Sequence, residues 1–136
     1  TLKPLIVAAA IDSGTLGPAS RIDTNPGMIR VGNKNIEDKH NYGVMDLATI
    51  LAKSSNVGAT KIAMGLDREL LWNTLGRFGL GRLTGSGFPG ESAGVLPHFQ
   101  NWRPITQATV AYGYGLSMTP LQLAQSYAVL GGSGLY

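Results

Sequence analysis

The alternation of apolar and polar positions predicts a mainly helical chain. Residues 1–13 form the first predicted helix, which Gly14 ends, because apolar side chains recur there three and four residues apart. These apolar positions are Leu2, Leu5, Ile6, Ala9 and Ala10. The last predicted helix has Thr119 as its N-cap and Pro120 at its first position, and it ends at Gly131.

Three more helices are predicted in the middle of the chain, each from a capping residue followed by an apolar face. Asp46 caps a helix that ends near Ser54, and Asn56 is the predicted N-cap of the next one. Asp67 caps the third, which stops at Gly79. A helix end and a new helix start therefore meet in a tight corner.

The segments between the helices are rich in residues that favour turns. Residues 14–27 are predicted to form a loop, and residues 28–37 a short hairpin that turns at Gly32 and Asn33. Residues 79–103 form a long irregular segment, and a loop of that length is usually functional or packed within a larger structure. Almost no sheet is expected, so the strands of a parent fold would lie outside this chain.

Composition excludes several classes of function. The 136 residues include 43% hydrophobic and only 14% charged residues, which excludes a disordered chain. The net charge is +3, but the basic residues are scattered, so no nucleic-acid partner is expected. The absence of cysteine excludes disulfides and thiolate sites. No apolar run reaches membrane-spanning length. His40 and His98 have no partners at metal-ligand spacing, so surface positions, and neither a metal nor a cofactor, are expected.

Two stretches place candidate catalytic groups near helix ends. At the corner, the Ser54 hydroxyl and the Asn56 amide could face one cleft, although from these residues alone helix capping is favoured. Ser55, one position off, is expected to point elsewhere and to tolerate alanine. Lys3 lies in a first helical turn, where a serine directly before Thr1 would complete Ser-x-x-Lys and give its proton to the amine.

A third stretch is glycine-rich and aromatic. Tyr112 and Tyr114 alternate with glycines after a predicted short helix that starts near Pro104. Glycines let the backbone approach a ligand, and the tyrosines could form the wall of a groove. A packed loop between helices explains the same residues equally well.

Five segments of the chain, in order, resemble the transpeptidase domain of class B penicillin-binding proteins, and most closely the division-specific septal transpeptidases. They are Thr-Leu-Lys-Pro-Leu at 1–5, Lys-Ser-Ser-Asn-Val-Gly at 53–58, Arg-Phe-Gly-Leu-Gly at 77–81, Pro-Gly-Glu-Ser-Ala-Gly-Val-Leu-Pro at 89–97 and Tyr-Gly-Tyr-Gly-Leu-Ser-Met-Thr-Pro-Leu-Gln-Leu-Ala at 112–124. Five motifs in the family's order make chance a poor explanation.

The resemblance implies an α+β fold of the penicillin-binding protein and serine β-lactamase type, of which this chain is mainly the helical part. Residues 1–136 are then part of one transpeptidase domain that is truncated at both ends. The nucleophilic serine is expected directly before Thr1, and the third motif, Lys-Thr/Ser-Gly, after the last residue. This piece alone is therefore expected to be inactive.

The resemblance also implies roles for individual residues. Lys3 matches the lysine of Ser-x-x-Lys, the base for acylation. Ser54 and Asn56 match the second motif, Ser-x-Asn, in which the serine relays a proton and the amide binds a peptide carbonyl. Tyr112 and Tyr114 match the wall of the substrate cleft.

The implied function is that of a peptidoglycan D,D-transpeptidase, which cross-links stem peptides through a serine acyl-enzyme and is acylated by β-lactams. Stem peptides, β-lactam antibiotics and other division proteins are the expected partners. An N-terminal anchor outside this chain would hold the protein in the bacterial inner membrane, with its catalytic domain in the periplasm. The alternatives are a D,D-carboxypeptidase or β-lactamase of the same fold, and a non-catalytic homologue that acts as a division scaffold. Ser-Ser-Asn in place of Ser-Asp-Asn argues against a class A β-lactamase.

Overall fold

The computed structural model describes residues 2–78 and 96–110, which contain helices and two small antiparallel sheets. Its elements in chain order are α1 (Lys3–Asp12), β1 (Arg21–Asp23), β2 (Met28–Val31), β3 (Lys34–Glu37), β4 (Val44–Asp46), α2 (Leu47–Lys53), α3 (Asn56–Met64), α4 (Arg68–Arg77), a 3-10 turn (Phe99–Asn101) and α5 (Pro104–Thr109). Helices dominate and strands are short, as expected for the helical part of an α+β domain.

Helix α1 is the centre of the core. Its apolar side chains lie on more than one face, and it packs against α2, α3 and α4. Leu2, Leu5, Ile6 and Ala10 are completely buried. A helix that is hydrophobic around most of its circumference must be enclosed by other elements. The predicted first helix is thereby confirmed. Lys3, in its first turn, is buried together with the apolar residues.

The predicted hairpin is also confirmed. Strands β2 and β3 pair with Ile29 opposite Ile36. Gly32, in the turn between them, has a φ of 58°, a left-handed conformation that glycine adopts without a steric penalty. Val31 and Ile36 form a second small apolar cluster with Ala108 of α5. The hairpin is therefore fixed to a helix and is not a free surface ribbon.

The prediction that residues 14–27 form only a loop is wrong. Arg21–Asp23 form β1, which pairs antiparallel with β4. Beyond the strand, the backbone N–H and the hydroxyl of Thr24 both donate to Gly43 O, at 2.8 and 2.6 Å. A three-residue strand is too short to show alternation, and its partner lies more than twenty positions further along, so no local pattern reveals it.

Most helix boundaries in the described residues agree with the prediction, with one correction. Asp46 and Asp67 cap α2 and α4 by accepting hydrogen bonds from Thr49 N and Leu70 N. The N-cap of α3, however, is Ser55 and not Asn56, because the Ser55 hydroxyl accepts from Gly58 N at 2.9 Å. The side chain of Asn56 is engaged elsewhere.

Some of the remaining predictions concern described residues, and others concern residues that the structure does not describe. The short helix starting at Pro104 is confirmed as α5. Helix α4 ends at Arg77, while Gly79 and the predicted helix of residues 119–131 lie outside the described residues. His40 and His98 are exposed, as expected. None of the helices within residues 2–78 and 96–110 has the length and apolar character needed to cross a membrane.

Candidate active site

A left-handed residue makes the tight corner between α2 and α3. Ser54 has φ 52° and ψ 47°, and Ser55 returns to an extended conformation before α3 begins. Non-glycine residues in this region cost roughly 1–2 kcal/mol, because Cβ crowds the following carbonyl. The two residues turn the chain so that α2 ends, and α3 starts, beside the first turn of α1.

The corner brings three predicted site residues together. Lys3 Nζ donates hydrogen bonds to Ser54 Oγ at 2.7 Å, to Asn56 Oδ1 at 2.8 Å and to the Ser54 carbonyl oxygen at 2.8 Å. These residues, here called the Lys3 cluster, are Lys3, Ser54 and Asn56. They lie 51 and 53 positions apart in the chain, so the cluster exists only because α1 packs across the corner.

The cluster has a buried side and an open side. Lys3 is 5% exposed, whereas Ser54 is exposed and Asn56 is half-buried. Burial lowers the pKa of the Lys3 amine below its ordinary value of 10.5, because the ammonium loses hydration, and the negative charge of Asp38 acts in the opposite direction. The lysine forms the floor of the site, and the Ser54 hydroxyl lies between that floor and solvent.

This geometry permits proton exchange between Lys3 and Ser54. A lysine ammonium offers three donors and no acceptor, whereas the neutral amine has a lone pair that accepts. At 2.7 Å, the Ser54 hydroxyl can take a proton from the ammonium while it passes its own to a ligand, or donate one to the amine while it takes one from a ligand. The lowered pKa of Lys3 brings the two protonation states closer in free energy.

Both ends of the Asn56 amide are held. Oδ1 accepts from Lys3, and Nδ2 donates to Glu37 O at 3.1 Å. An amide nitrogen carries two hydrogens, so this donation is compatible with a second one to a ligand carbonyl. Because capping of α3 falls to Ser55, the capping interpretation of Asn56 is wrong.

Sequence reasoning missed Asp38, which faces the start of α3. Its carboxylate accepts from Ser55 Oγ at 2.6 Å, Asn56 N at 2.6 Å and Val57 N at 3.1 Å. Asp38 stands in a charged stretch after β3, a pattern that favours a solvated surface. No local signal shows that this stretch folds back onto a helix N-terminus.

Ser55 differs in part from its expectation. Its side chain does point away from the Lys3 cluster, toward Asp38. It is, however, completely buried and both donates to Asp38 and accepts from Gly58 N. Loss of this hydroxyl removes two hydrogen bonds from a buried position, so the expected tolerance to alanine has no support in its contacts.

Close packing fixes the angle of the corner. A Cβ atom at Gly58 would lie 3.0 to 3.1 Å from three side-chain carbons of Ile50, which is completely buried. Glycine therefore lets α3 approach α2 to a distance that a larger residue prevents. The positions of Ser54 and Asn56 follow from this contact as well as from their own hydrogen bonds.

The other two predicted site residues cannot be placed beside the Lys3 cluster, and the described residues can be examined for a metal site. Tyr112 and Tyr114 lie outside the described residues. Within residues 2–78 and 96–110, no group of three or more His, Cys, Asp or Glu side chains is arranged to hold a metal ion. The described polar groups of the site are thus an amine, a hydroxyl and an amide, which is a set suited to proton transfer and carbonyl binding.

Comparison with known proteins gives close matches over the whole chain. The chain is 41% identical over 136 residues to the peptidoglycan D,D-transpeptidase FtsI of Escherichia coli K12. The match covers 100% of this chain and 23% of that protein. It is 39% identical over 134 residues to the probable peptidoglycan D,D-transpeptidase PenA of Neisseria gonorrhoeae, covering 98% of this chain and 23% of that protein. The chain therefore spans about a quarter of the length of these relatives.

Solved structures of penicillin-binding proteins and their relatives match the fold of this chain. The transpeptidase domain of Burkholderia pseudomallei penicillin-binding protein 3 superposes with a TM-score of 0.89 at 41% identity, over 94% of this chain and 39% of that one. A protein from Burkholderia ambifaria, described as a peptidoglycan glycosyltransferase, gives 0.89 at 40% identity, over 94% and 40% of the two chains. The α+β fold of the transpeptidase type is confirmed. Since the family described as the penicillin binding protein transpeptidase domain also matches residues 1–136, the chain belongs to that family.

Proposed function

We propose that this chain is part of a peptidoglycan D,D-transpeptidase that cross-links stem peptides through a serine acyl-enzyme and is acylated by β-lactams. The observation that carries the proposal is the contact of the buried Lys3 Nζ with both Ser54 Oγ and Asn56 Oδ1. Relatives 39% to 41% identical to this chain are named peptidoglycan D,D-transpeptidases, which supports the same chemistry here.

The proposed nucleophile is a serine directly before Thr1. Residues 1–136 are proposed to form part of a single transpeptidase domain. Residues three apart on a helix share a face, which would place that serine beside Lys3. Neutral Lys3 would take the proton of the serine hydroxyl as its oxygen attacks the carbonyl carbon of the stem peptide. The peptide C–N bond then breaks, and the proton passes to the departing amine.

Ser54 and Asn56 have separate proposed tasks in this step. Ser54 Oγ, at 2.7 Å from Lys3 Nζ, would pass the proton from Lys3 to the departing amine nitrogen. Asn56 Nδ2 would donate to a backbone carbonyl of the bound peptide or to the β-lactam side-chain amide. An amine of a second stem peptide would then attack the ester, which forms the cross-link and restores the serine.

Tyr112 and Tyr114 are proposed to form the wall of the cleft. Their support is the match of residues 112–124 to the corresponding family motif. If both tyrosines contact the substrate, replacing either with alanine should weaken initial binding of a β-lactam more than it slows the acylation that follows.

The setting is proposed to be the division septum. The parent protein would be anchored in the bacterial inner membrane by a segment before this chain, with its catalytic domain in the periplasm and other division proteins as partners. This placement is supported by the resemblance of the five motifs to septal transpeptidases and by the 41% identity to FtsI.

The experiment uses the purified full-length protein. Labelled penicillin should give a stable covalent adduct that unlabelled penicillin blocks, and peptidoglycan strands should yield dimers of stem peptides. Shortened stem peptides without dimers would identify a D,D-carboxypeptidase, and rapid release of hydrolysed penicillin a β-lactamase. Absence of any adduct in the folded protein would contradict the proposal and favour a non-catalytic scaffold.

A further inference from the structure

Asp38 binds the first turn of α3 from outside the helix. Its Oδ1 accepts from Asn56 N at 2.6 Å and Val57 N at 3.1 Å, while Oδ2 accepts from Ser55 Oγ at 2.6 Å. The first N–H groups of a helix have no partner within the helix, and a side-chain oxygen usually satisfies one of them. Here Ser55 caps Gly58 N, and Asp38 satisfies the two N–H groups that precede it.

These contacts are stronger than an ordinary cap. A carboxylate forms shorter and stronger hydrogen bonds than a neutral acceptor, and the helix N-terminus attracts negative charge. Asp38 is half-buried, so solvent weakens this attraction only in part. The contacts also join parts of the chain that are 17 to 19 positions apart.

Asp38 is itself fixed to a rigid support. Its backbone N–H donates to Gly27 O at 3.0 Å, and it directly follows β3. Ile36 of that strand is buried against Ala108 of α5. The hairpin therefore holds the carboxylate against the first turn of α3, where it binds the N–H groups at which the helix begins.

The start of α3 in turn sets the geometry of the Lys3 cluster. Asn56 is bound to Asp38 through its backbone N–H and to Lys3 and Glu37 O through its side chain. Ser54, which accepts from Lys3, directly precedes the Ser55 that Asp38 holds. A displacement of the α3 N-terminus would move both polar partners of the amine.

The same carboxylate acts on the charge of Lys3. Its negative charge favours the ammonium form and raises the pKa of Lys3, against the larger and opposite effect of burial. Among the described residues, Glu37 of β3 and Lys53 of α2 are the charged neighbours in sequence of Asp38 and Ser54, and their side chains are exposed. Removal of the Asp38 charge should therefore lower the pKa of Lys3 and make the neutral amine available at lower pH.

We propose that Asp38 is a positioning residue of the acylation site, which holds Ser54 and Asn56 against Lys3 by fixing the N-terminus of α3. This inference rests on the proposed function. It assigns no contact with substrate to Asp38, and it makes the hairpin of β2 and β3 the support of the second catalytic motif.

The test measures the second-order rate of acylation by labelled penicillin, across pH, for the full-length protein. Asp38→Ala removes all three contacts, whereas Asp38→Asn keeps an oxygen for Asn56 N and Val57 N but removes the charge. Asp38→Ala should lower the plateau rate by about 10²-fold, since a shift of the order of 1 Å in a catalytic group has that effect. Asp38→Asn should lose less, and the rise of its rate with pH should move to lower pH.

Asp67→Ala is the matched control, because Asp67 caps α4 by accepting from Leu70 N and takes no part in the cluster. It should lower the melting temperature and leave acylation unchanged. Absence of labelling in the wild type would reject the proposed function itself, whatever the variants do.

With a labelled wild type, the outcomes for Asp38 decide the inference. A slower plateau rate that Asp67→Ala does not reproduce supports positioning, with or without a shift along the pH axis. If Asp38→Ala acylates within a few fold of wild type, Asp38 only stabilises the fold and the inference is wrong. Should Asp38→Ala fail to fold, Asp38→Ser decides in its place, because its shorter side chain also gives up the contacts with Asn56 N and Val57 N, and a wild-type plateau rate in that variant would reject positioning.

Discussion

Lys3 Nζ lies 2.7 Å from Ser54 Oγ, although 51 positions separate the two residues in the chain. The lysine belongs to a largely buried helix, and the serine belongs to an exposed corner. A buried amine beside a solvent-facing hydroxyl is an arrangement through which a proton can pass between the interior and a ligand. Substitutions that remove one group at a time separate that chemical task from the structural contribution of the same residues.

Replacing Lys3 with alanine should slow β-lactam acylation of the full-length protein by about 10²-fold or more, the usual effect of losing a general base. Because burial lowers the pKa of Lys3, the wild-type rate should rise with pH to a midpoint below 10.5, where the neutral amine becomes available. The measurement is the acylation rate across pH for both proteins. A rate within a few fold of wild type in the alanine variant would show that another group is the base.

The lowered pKa of Lys3 also predicts how stability changes with pH. Between the folded pKa and 10.5, the unfolded chain binds more protons at this site than the folded chain does, so the free energy of unfolding rises with pH. Below this window Lys3 is protonated in both states, and the cost of burying the ammonium is fully present. Lys3→Met, which keeps the length of the side chain, should lack this dependence.

The measurement is the melting temperature of wild type and Lys3→Met at neutral pH and at a pH close to 10.5. Wild type should gain stability relative to the variant as the pH rises, because all other titrating groups are shared and their effects cancel in the difference. A difference that stays constant over this range would mean that the pKa of Lys3 is the same in the folded and unfolded states.

Ser54 offers two substitutions that separate its hydroxyl from its backbone. Ser54→Ala removes the hydroxyl of the proposed proton relay and keeps the cost of the left-handed conformation, whereas Ser54→Gly removes both the hydroxyl and that cost. Both variants should acylate more slowly than wild type, with the loss in the chemical step more than in binding. Ser54→Gly should melt at a higher temperature than Ser54→Ala.

The measurements are the acylation rate and the melting temperature of each Ser54 variant, compared with each other and with wild type. If glycine restored the wild-type rate, the corner geometry would be the contribution of Ser54, and the hydroxyl would have no part in proton transfer.

Elements with local signals could be predicted from the sequence, and those without could not. Asp46 and Asp67 each lie three residues from the N–H group they cap, so their helices are visible in short windows. The hairpin of β2 and β3 is similarly local. The pairing of β1 with β4 has no such signal, because the two strands are only three residues long and lie more than twenty positions apart in the chain.

The site shows the same division between local and long-range information. Residue spacing suggested that Ser54 and Asn56 could share a cleft and that Lys3 could serve a serine before Thr1, and the family motifs joined the two sites. Neither could show that Asp38 reaches the start of α3, since that contact depends on the placement of the hairpin against α5. The N-cap was assigned one residue too late for a related reason: both Ser55 and Asn56 are good caps, and only the tertiary contacts of Asn56 exclude it.

Asn56 and Ser55 are neighbours with opposite predicted phenotypes. Asn56→Ala keeps the backbone N–H that Asp38 binds and loses the side-chain contacts, among them those with Lys3 and Glu37 O. It should therefore melt close to wild type but bind β-lactams more weakly, because a donor to the ligand carbonyl is lost. Ser55→Ala removes a buried cap, which should cost about 1 kcal/mol of stability or more.

The experiment determines, for both variants, the melting temperature and the acylation rate as a function of β-lactam concentration, which separates initial binding from the chemical step. Ser55→Ala should acylate faster than Asn56→Ala despite its lower melting temperature, because Asp38 keeps its contacts with the backbone of Asn56 and Val57. This crossed pattern cannot arise from stability alone, since the more stable variant would then be the more active one. The reverse order, with Asn56→Ala less stable and fully active, would show that the Asn56 amide serves the fold and does not bind the ligand.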